Sequence, residues 1–177
     1  MNQASGWTIR EVDRAADAPA VLQLDTSYTT ELVYEVTAER DSLLLGTRPT
    51  PARMGRFPID LERPPWDQGY VAVEEGVVRG FIATRLEAWN HRLAIWHFYV
   101  DREHRRRGIG RALMGQALAA GRQSGVLTAW VETSNVNVPG IEAYRHLGFS
   151  ICGFDLTLYH GTPSEGQFAV YLSLPLA

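Results

Sequence analysis

Lysine is absent from this sequence: all 17 basic residues among its 177 are arginine. Apart from histidine, every side-chain cation is therefore a planar, permanently charged fork suited to phosphate. Cysteine occurs once, as Cys152, which excludes an intrachain disulfide. Its place in an apolar run predicts an inert core position. No apolar run approaches membrane-spanning length, and the opening MNQASGWTIR has no apolar signal segment. A reducing cytoplasm and no membrane partner are the expectation. Internal repeats and low-complexity tracts are also missing. What remains, 45% hydrophobic and 21% charged, is an ordinary globular composition, long enough to bury one core. A single domain over residues 1–177 is expected.

The net charge of −3 hides an uneven distribution. Residues 97–124 carry six arginines (Arg102, Arg105, Arg106, Arg107, Arg111 and Arg122) against Asp101 and Glu103. Residues 11–75 carry thirteen acids against six arginines. One region is prepared for an anion and the other for a cation. A nucleic-acid surface fits poorly, because overall charge is negative and no stacking aromatics interleave with the arginines.

Periodicity predicts strands over Thr8–Val12, Ser27–Thr37, Tyr70–Val73, Val77–Ala88, Leu93–Val100, Val126–Thr133, Phe149–Tyr159 and Phe168–Leu174. Helices are predicted over Asp17–Leu24, from Ile109 to near Gly125, and over Ile141–Leu147. Residues 46–68 carry five prolines and read as an irregular excursion. The order predicts a mixed α/β sheet with one crossover after the central strand Leu93–Val100. The apolar C-terminal strand FAVYLSLPL is a candidate homodimer surface.

The strand-to-helix turn HRRRGIGRAL narrows the chemistry. A P-loop needs Lys-Ser/Thr after its second glycine, where Arg111-Ala112 stands, and a Rossmann turn needs a third glycine where Leu113 stands. What remains is Arg-x-x-Gly-x-Gly at Arg105, Gly108 and Gly110. Glycines there let backbone N–H groups approach a diphosphate at a helix N-terminus. This segment, within FYVDREHRRRGIGRAL, resembles the pyrophosphate segment of the GNAT superfamily of acyl-CoA-dependent N-acetyltransferases. Arg102 and Arg106 stand where proline and glycine are common in that family. A second segment, WVETSNVNVPGIEAYRHLGF, resembles the same family's acetyl-CoA segment through Asn137, Gly140, Tyr144, Gly148 and Phe149.

The resemblance covers roughly residues 70–175, an acyl-CoA-binding core, and leaves residues 1–68 as an acceptor-side part. It implies a GNAT-type mixed, mostly antiparallel central sheet flanked by helices, with a strand splay holding acetyl-CoA as co-substrate. The diphosphate would rest on backbone amides of Arg105, Arg106, Arg107, Gly108, Ile109 and Gly110, next to Arg111. Phe98 and Val100 would run beside the pantetheine arm, and Asn137 would hydrogen-bond it. Val100 would also polarise the thioester carbonyl with its N–H. Tyr144 is the implied proton donor to the departing sulfur. No metal site is predicted.

Acetyl transfer to an amine of pKa roughly 10 must first free the lone pair, at about 4–5 kcal/mol near neutral pH. Glu132, a carboxylate amid the apolar residues of AWVET, is the leading candidate base, because burial raises its pKa. The ribosomal-protein N-terminal acetylating branch of the family is similar in spacing, with glutamate five residues before the Asn and twelve before the Tyr. His97 and Glu87 are alternatives. Within the superfamily the chain is also similar to the streptothricin-acetylating group, through VETSNVNVPGIEAYRHLGF, CGFDLTLYH and SYTTELVYEV. It departs from that group at Trp96, where glutamate is usual before the histidine. The similarity implies a small amine acceptor; the acid-rich N-terminal half fits a cationic one, with Tyr28, Glu31, Tyr34, Glu35, Trp66 and Asp155 as candidate contacts. Acetylation of a protein N-terminus or polyamine, and acyl-CoA binding without catalysis, stay open.

Overall fold

A computed structural model describes residues 6–62 and 65–176. The chain runs through β1 (Trp7–Glu11), α1 (Ala18–Leu22), β2 (Tyr28–Glu39), β3 (Ser42–Gly55), β4 (Gln68–Glu74), β5 (Val77–Glu87), β6 (Arg92–Val100), α2 (Ile109–Gln123), β7 (Thr128–Ser134), α3 (Val138–His146), β8 (Ser150–Asp155) and β9 (Ala169–Pro175). It forms two compact units. One comprises residues up to Thr26, Phe57–Trp130 and the end from Pro175; the other comprises Ser27–Arg56 and Val131–Leu174. Both combine sheet with packed helix, in the mixed α/β, mostly antiparallel architecture that the family resemblance implies. Among the described residues no helix is long and apolar enough to cross a membrane.

In the first unit, β1, β4, β5 and β6 are successive antiparallel neighbours. β5 and β6 are apolar on both faces because both are covered, and Phe81, Ile82, Ala83 and Leu93 are fully buried. Helix α2 turns Ile109, Leu113, Met114, Ala117 and Leu118 inward, a stripe at helical spacing. The helix lies close to β5 where Gly80 has no side chain. A Cβ there would come within 2.9 Å of Leu113 Cδ1 and 3.1 Å of Ile109 Cγ2. The β5–β6 register slips by one residue, with Ala83 opposite His97 and Thr84 opposite Ile95, so Trp96 is the extra residue of a bulge.

In the second unit, β9 lies between β7 and β8, while β2 and β3 form a separate two-stranded ribbon on which α3 packs. Asn135 joins these pieces. Its N–H donates to Phe168 O at 2.9 Å, its Nδ2 donates to Tyr34 O at 2.8 Å, and its carbonyl accepts from Tyr34 N at 3.0 Å.

Three expectations need correction. The strand expected over Phe149–Tyr159 ends at Asp155, whose carboxylate accepts from Thr157 N and Leu158 N and turns the chain. Residues 46–55 are not irregular, because β3 extends to Gly55 and includes Pro49 and Pro51. A two-stranded ribbon leaves outer N–H groups unpaired, and the β2–β3 register slips beside Pro51, so neither proline breaks an extended pair there. Cys152 is exposed, not core. It is the unpaired residue of a bulge between Ile151, opposite Leu172, and Gly153, opposite Tyr171. The apolar residues of β9 are used within the fold itself: Ala169, Val170 and Leu172 are fully buried.

Candidate active site

The arginine-glycine bend lies in the first unit, between β6 and α2. Gly108 adopts a left-handed conformation (φ 87°) and starts α2. As the N-cap, Gly108 has no side chain with which to cap this helix, whose 15 residues set a dipole with its positive end at the bend. An added Cβ at Gly110 would stand 3.3 Å from Phe98 Cζ, so the glycine lets the bend lie against the end of β6. These features fit a diphosphate, with Phe98 and Val100 next along the strand.

The three consecutive arginines divide their work. Arg105 turns inward, donating from Nε to Val100 O at 3.0 Å and from an Nη to Asp25 O at 2.9 Å. Burial pulls its pKa down, against the field of Asp25. Arg107 is paired with Glu74, which also holds His104 Nε2 at 3.2 Å, and His104 Nδ1 is 3.3 Å from Asp101. Arg106 and Arg111 are exposed. Arg106 takes φ 60°, in the left-handed region that disfavours any residue with a Cβ. This is the physical reason for a glycine preference at that place. Arg106→Gly is therefore expected to raise folding stability by about 1 kcal/mol, measured as an upward shift of the urea midpoint at unchanged slope.

Also in this unit, His97 is buried and stacks on Phe81 at a centroid distance of 5.9 Å, and its Nδ1 lies 3.5 Å from the Tyr99 hydroxyl. Its Nε2 has no partner among the described residues. Burial lowers its pKa, only partly offset by Asp60, and pushes the Tyr99 phenol up to about 12. Glu87 pairs with Arg85 at 3.4 Å at the end of β5. Trp66 is a core residue, and its indole N–H donates to Leu61 O at 3.0 Å.

The second unit holds Glu132, Asn137 and Tyr144. Asn137 Oδ1 accepts from Gly140 N at 3.1 Å, capping α3, and Nδ2 donates to Thr133 Oγ1 at 2.9 Å. The cap fixes the start of the helix that carries Tyr144, which is buried edge-on to Phe149 at 5.6 Å. Glu132 sits on β7, half-buried. Burial pushes its carboxyl above the usual range, while a hydrogen bond from the Tyr159 hydroxyl pulls the other way.

Tyr159, the penultimate residue of CGFDLTLYH, is not among the expected site residues. It lies 27 residues from Glu132, past Asp155 where β8 ends short of the expected strand, and only the return of the chain brings the two together. Among the candidate acceptor contacts, the Tyr34 hydroxyl donates to Glu142 at 3.2 Å, Glu35 holds Arg48 at 2.8 Å, and Asp155 accepts from Thr157 N at 2.8 Å and Leu158 N at 3.1 Å. Tyr28 starts β2, and Glu31 is exposed at the ribbon's bulge.

The first unit thus carries a glycine bend at a helix start, and the second an asparagine-capped helix with a buried tyrosine. Residues 32–149 match the Acetyltransferase (GNAT) family. The chain belongs to that family. It is an N-acetyltransferase that carries an acetyl group from acetyl-CoA to an amine. It is 41% identical to a streptothricin acetyltransferase of Streptomyces lavendulae over 173 residues, 92% of each protein. It is 40% identical to a nourseothricin acetyltransferase of known crystal structure, with a TM-score of 0.88 over 97% of this chain and 99% of that one. A Bacillus anthracis protein crystallised with acetyl coenzyme A shares the fold at 24% identity, with a TM-score of 0.79 over 96% and 99% of the two chains.

Proposed function

We propose that the acceptor is a primary amine of a streptothricin-type antibiotic, with Glu132 as the base that frees it and Tyr144 as the acid that protonates the departing sulfur. The observation that carries this reading is the 41% identity, spread over 92% of both proteins, to a streptothricin acetyltransferase.

Bound acetyl-CoA supplies the activated thioester; the remaining work falls to the chain. Amides of residues 105–110 hold the diphosphate, supported by the exposed charges of Arg106 and Arg111. Phe98 and Val100 flank the pantetheine arm, and the Val100 N–H polarises the thioester carbonyl. Asn137 spends one N–H on Thr133 and one lone pair on Gly140, which leaves one of each for the pantetheine amides. Glu132 takes a proton from the ammonium, directly or through one water, and the freed amine forms the amide bond as the carbon–sulfur bond breaks. Tyr144 gives its proton to the sulfur. The ammonium loses two protons in all: the second, released as the amide forms, restores Tyr144, so one proton ends on the thiol and the other on Glu132, which passes it to water.

Acetylation removes a positive charge that the drug holds at neutral pH, and so weakens its attraction to phosphates. The acidic N-terminal region, including the exposed Glu31, favours a cationic acceptor. The supply of acetyl-CoA puts the reaction in the cytoplasm. An acceptor panel tests the reading: kcat/KM, followed by release of the CoA thiol, is expected to be at least about tenfold higher for streptothricin than for N-terminal peptides or polyamines, a difference of about 1.4 kcal/mol. Equal or higher values for a peptide would move the protein to N-terminal acetylation.

A further inference from the structure

The segment between β8 and β9 is tied to one face of β7 at two points. Alternate residues of a strand share a face, so Glu132 and Ser134 project the same way. Glu132 accepts from the Tyr159 hydroxyl, and the Ser134 hydroxyl donates to Gln167 Oε1. The segment leaves β8 through a turn on Asp155 and returns where Phe168 N donates to Asn135 Oδ1 at 3.1 Å. Inside it, Thr162 Oγ1 donates to Tyr159 O at 2.7 Å. Tyr159 is thus held at both its backbone and its hydroxyl.

We propose that Tyr159 is a positioning residue for proton removal: by donating to Glu132 Oε1 it fixes the carboxylate's orientation and leaves the second oxygen to receive the proton of the acceptor amine. The inference rests on Glu132 as the base.

A hydrogen bond to an ionised carboxylate favours the charged form, and burial disfavours it. On Glu132 these two influences oppose each other, with burial the larger. The other titratable groups near the pair are Tyr171 on β9, whose phenol is raised by burial and by the fields of Asp155 and Glu132, and Asp155 itself on β8. Burial and the Glu132 charge also hold the Tyr159 phenol far above its ordinary value, so it remains a donor throughout the working pH range. Without its hydroxyl, burial acts on Glu132 unopposed.

The test is the pH profile of kcat/KM. A base must be ionised, so the acid limb reports the Glu132 pKa in the free enzyme. Tyr159→Phe is expected to move that limb upward by about one pH unit, because a hydrogen bond to a charged group is worth roughly one to two such units. Gln167→Ala loosens the same segment without touching Glu132 and is expected to leave the limb in place. Incorporating 3-fluorotyrosine at position 159, a stronger donor that alters packing little, is expected to move the limb downward. This second arm keeps the proposal testable if Tyr159→Phe does not fold. An unmoved limb in both Tyr159 variants, with Glu132→Gln inactive, overturns the role of Tyr159 and leaves the base assignment standing. An active Glu132→Gln enzyme instead overturns the base assignment, and the inference with it.

Discussion

Glu132→Gln is expected to lower kcat by about 10²–10⁴-fold at neutral pH, the range lost with a general base. The reason lies in the acceptor. An alkyl ammonium of pKa roughly 10 has fewer than about one molecule in a hundred ready to attack near pH 7. Glutamine keeps the volume and still accepts from Tyr159, but it cannot take the proton. Two companion results separate this from a packing defect. The deficit is expected to shrink by up to about tenfold per pH unit as the medium itself deprotonates the amine. Folding stability at neutral pH is expected to hold or rise. Burial raises the Glu132 pKa above its unfolded value, so the charged form costs stability above that pKa and only protonation relieves it. A neutral amide removes the cost. Urea unfolding of the variant checks the sign.

Tyr144→Phe is expected to reduce kcat by about 10–10²-fold with little change in the KM for acetyl-CoA. The loss is smaller than for Glu132 because a thiolate, with a pKa near 8.5 for an ordinary thiol, leaves tolerably without help. Phenylalanine preserves the ring, and with it the edge-on contact to Phe149 inside the second unit. A drop in kcat/KM equal to the drop in kcat identifies an interaction made in the transition state. A rise in KM alone would make Tyr144 a binding residue.

Much of the fold follows from local pattern. The i, i+4 stripe from Ile109 to Leu118, the doubly apolar Leu93–Val100 and the Ile141–Leu147 helix each depend on residues close in sequence, and the structure forms these elements within a few residues of expectation. The bend is legible for the same reason, since Gly108 takes a left-handed conformation and Gly110 leaves room for the Phe98 ring. What escaped depends on partners distant in sequence. Prolines at 49 and 51 argued against a strand, but β3 has a partner on one side only. Cys152 lies among apolar residues, yet a bulge turns it outward. Tyr159 lies in a strand expected over Phe149–Tyr159, but the Asp155 carboxylate ends β8 early by accepting from Thr157 N and Leu158 N, and the contact with Glu132 arises in the turn that follows. Trp66 and Asp155 show the converse. Both were attractive acceptor contacts by residue type, and the structure commits one to the core and the other to the backbone of its own loop.

The central claim, that backbone amides of residues 105–110 grip the diphosphate of the acyl carrier, is tested most directly by calorimetric titration with two ligands. Acetyl-CoA and S-acetylpantetheine carry the same thioester, but only the first carries the diphosphate. The account predicts measurable binding of acetyl-CoA and a loss of at least about 10²-fold in affinity for the truncated ligand, roughly 3 kcal/mol. Equal affinities for the two would contradict it.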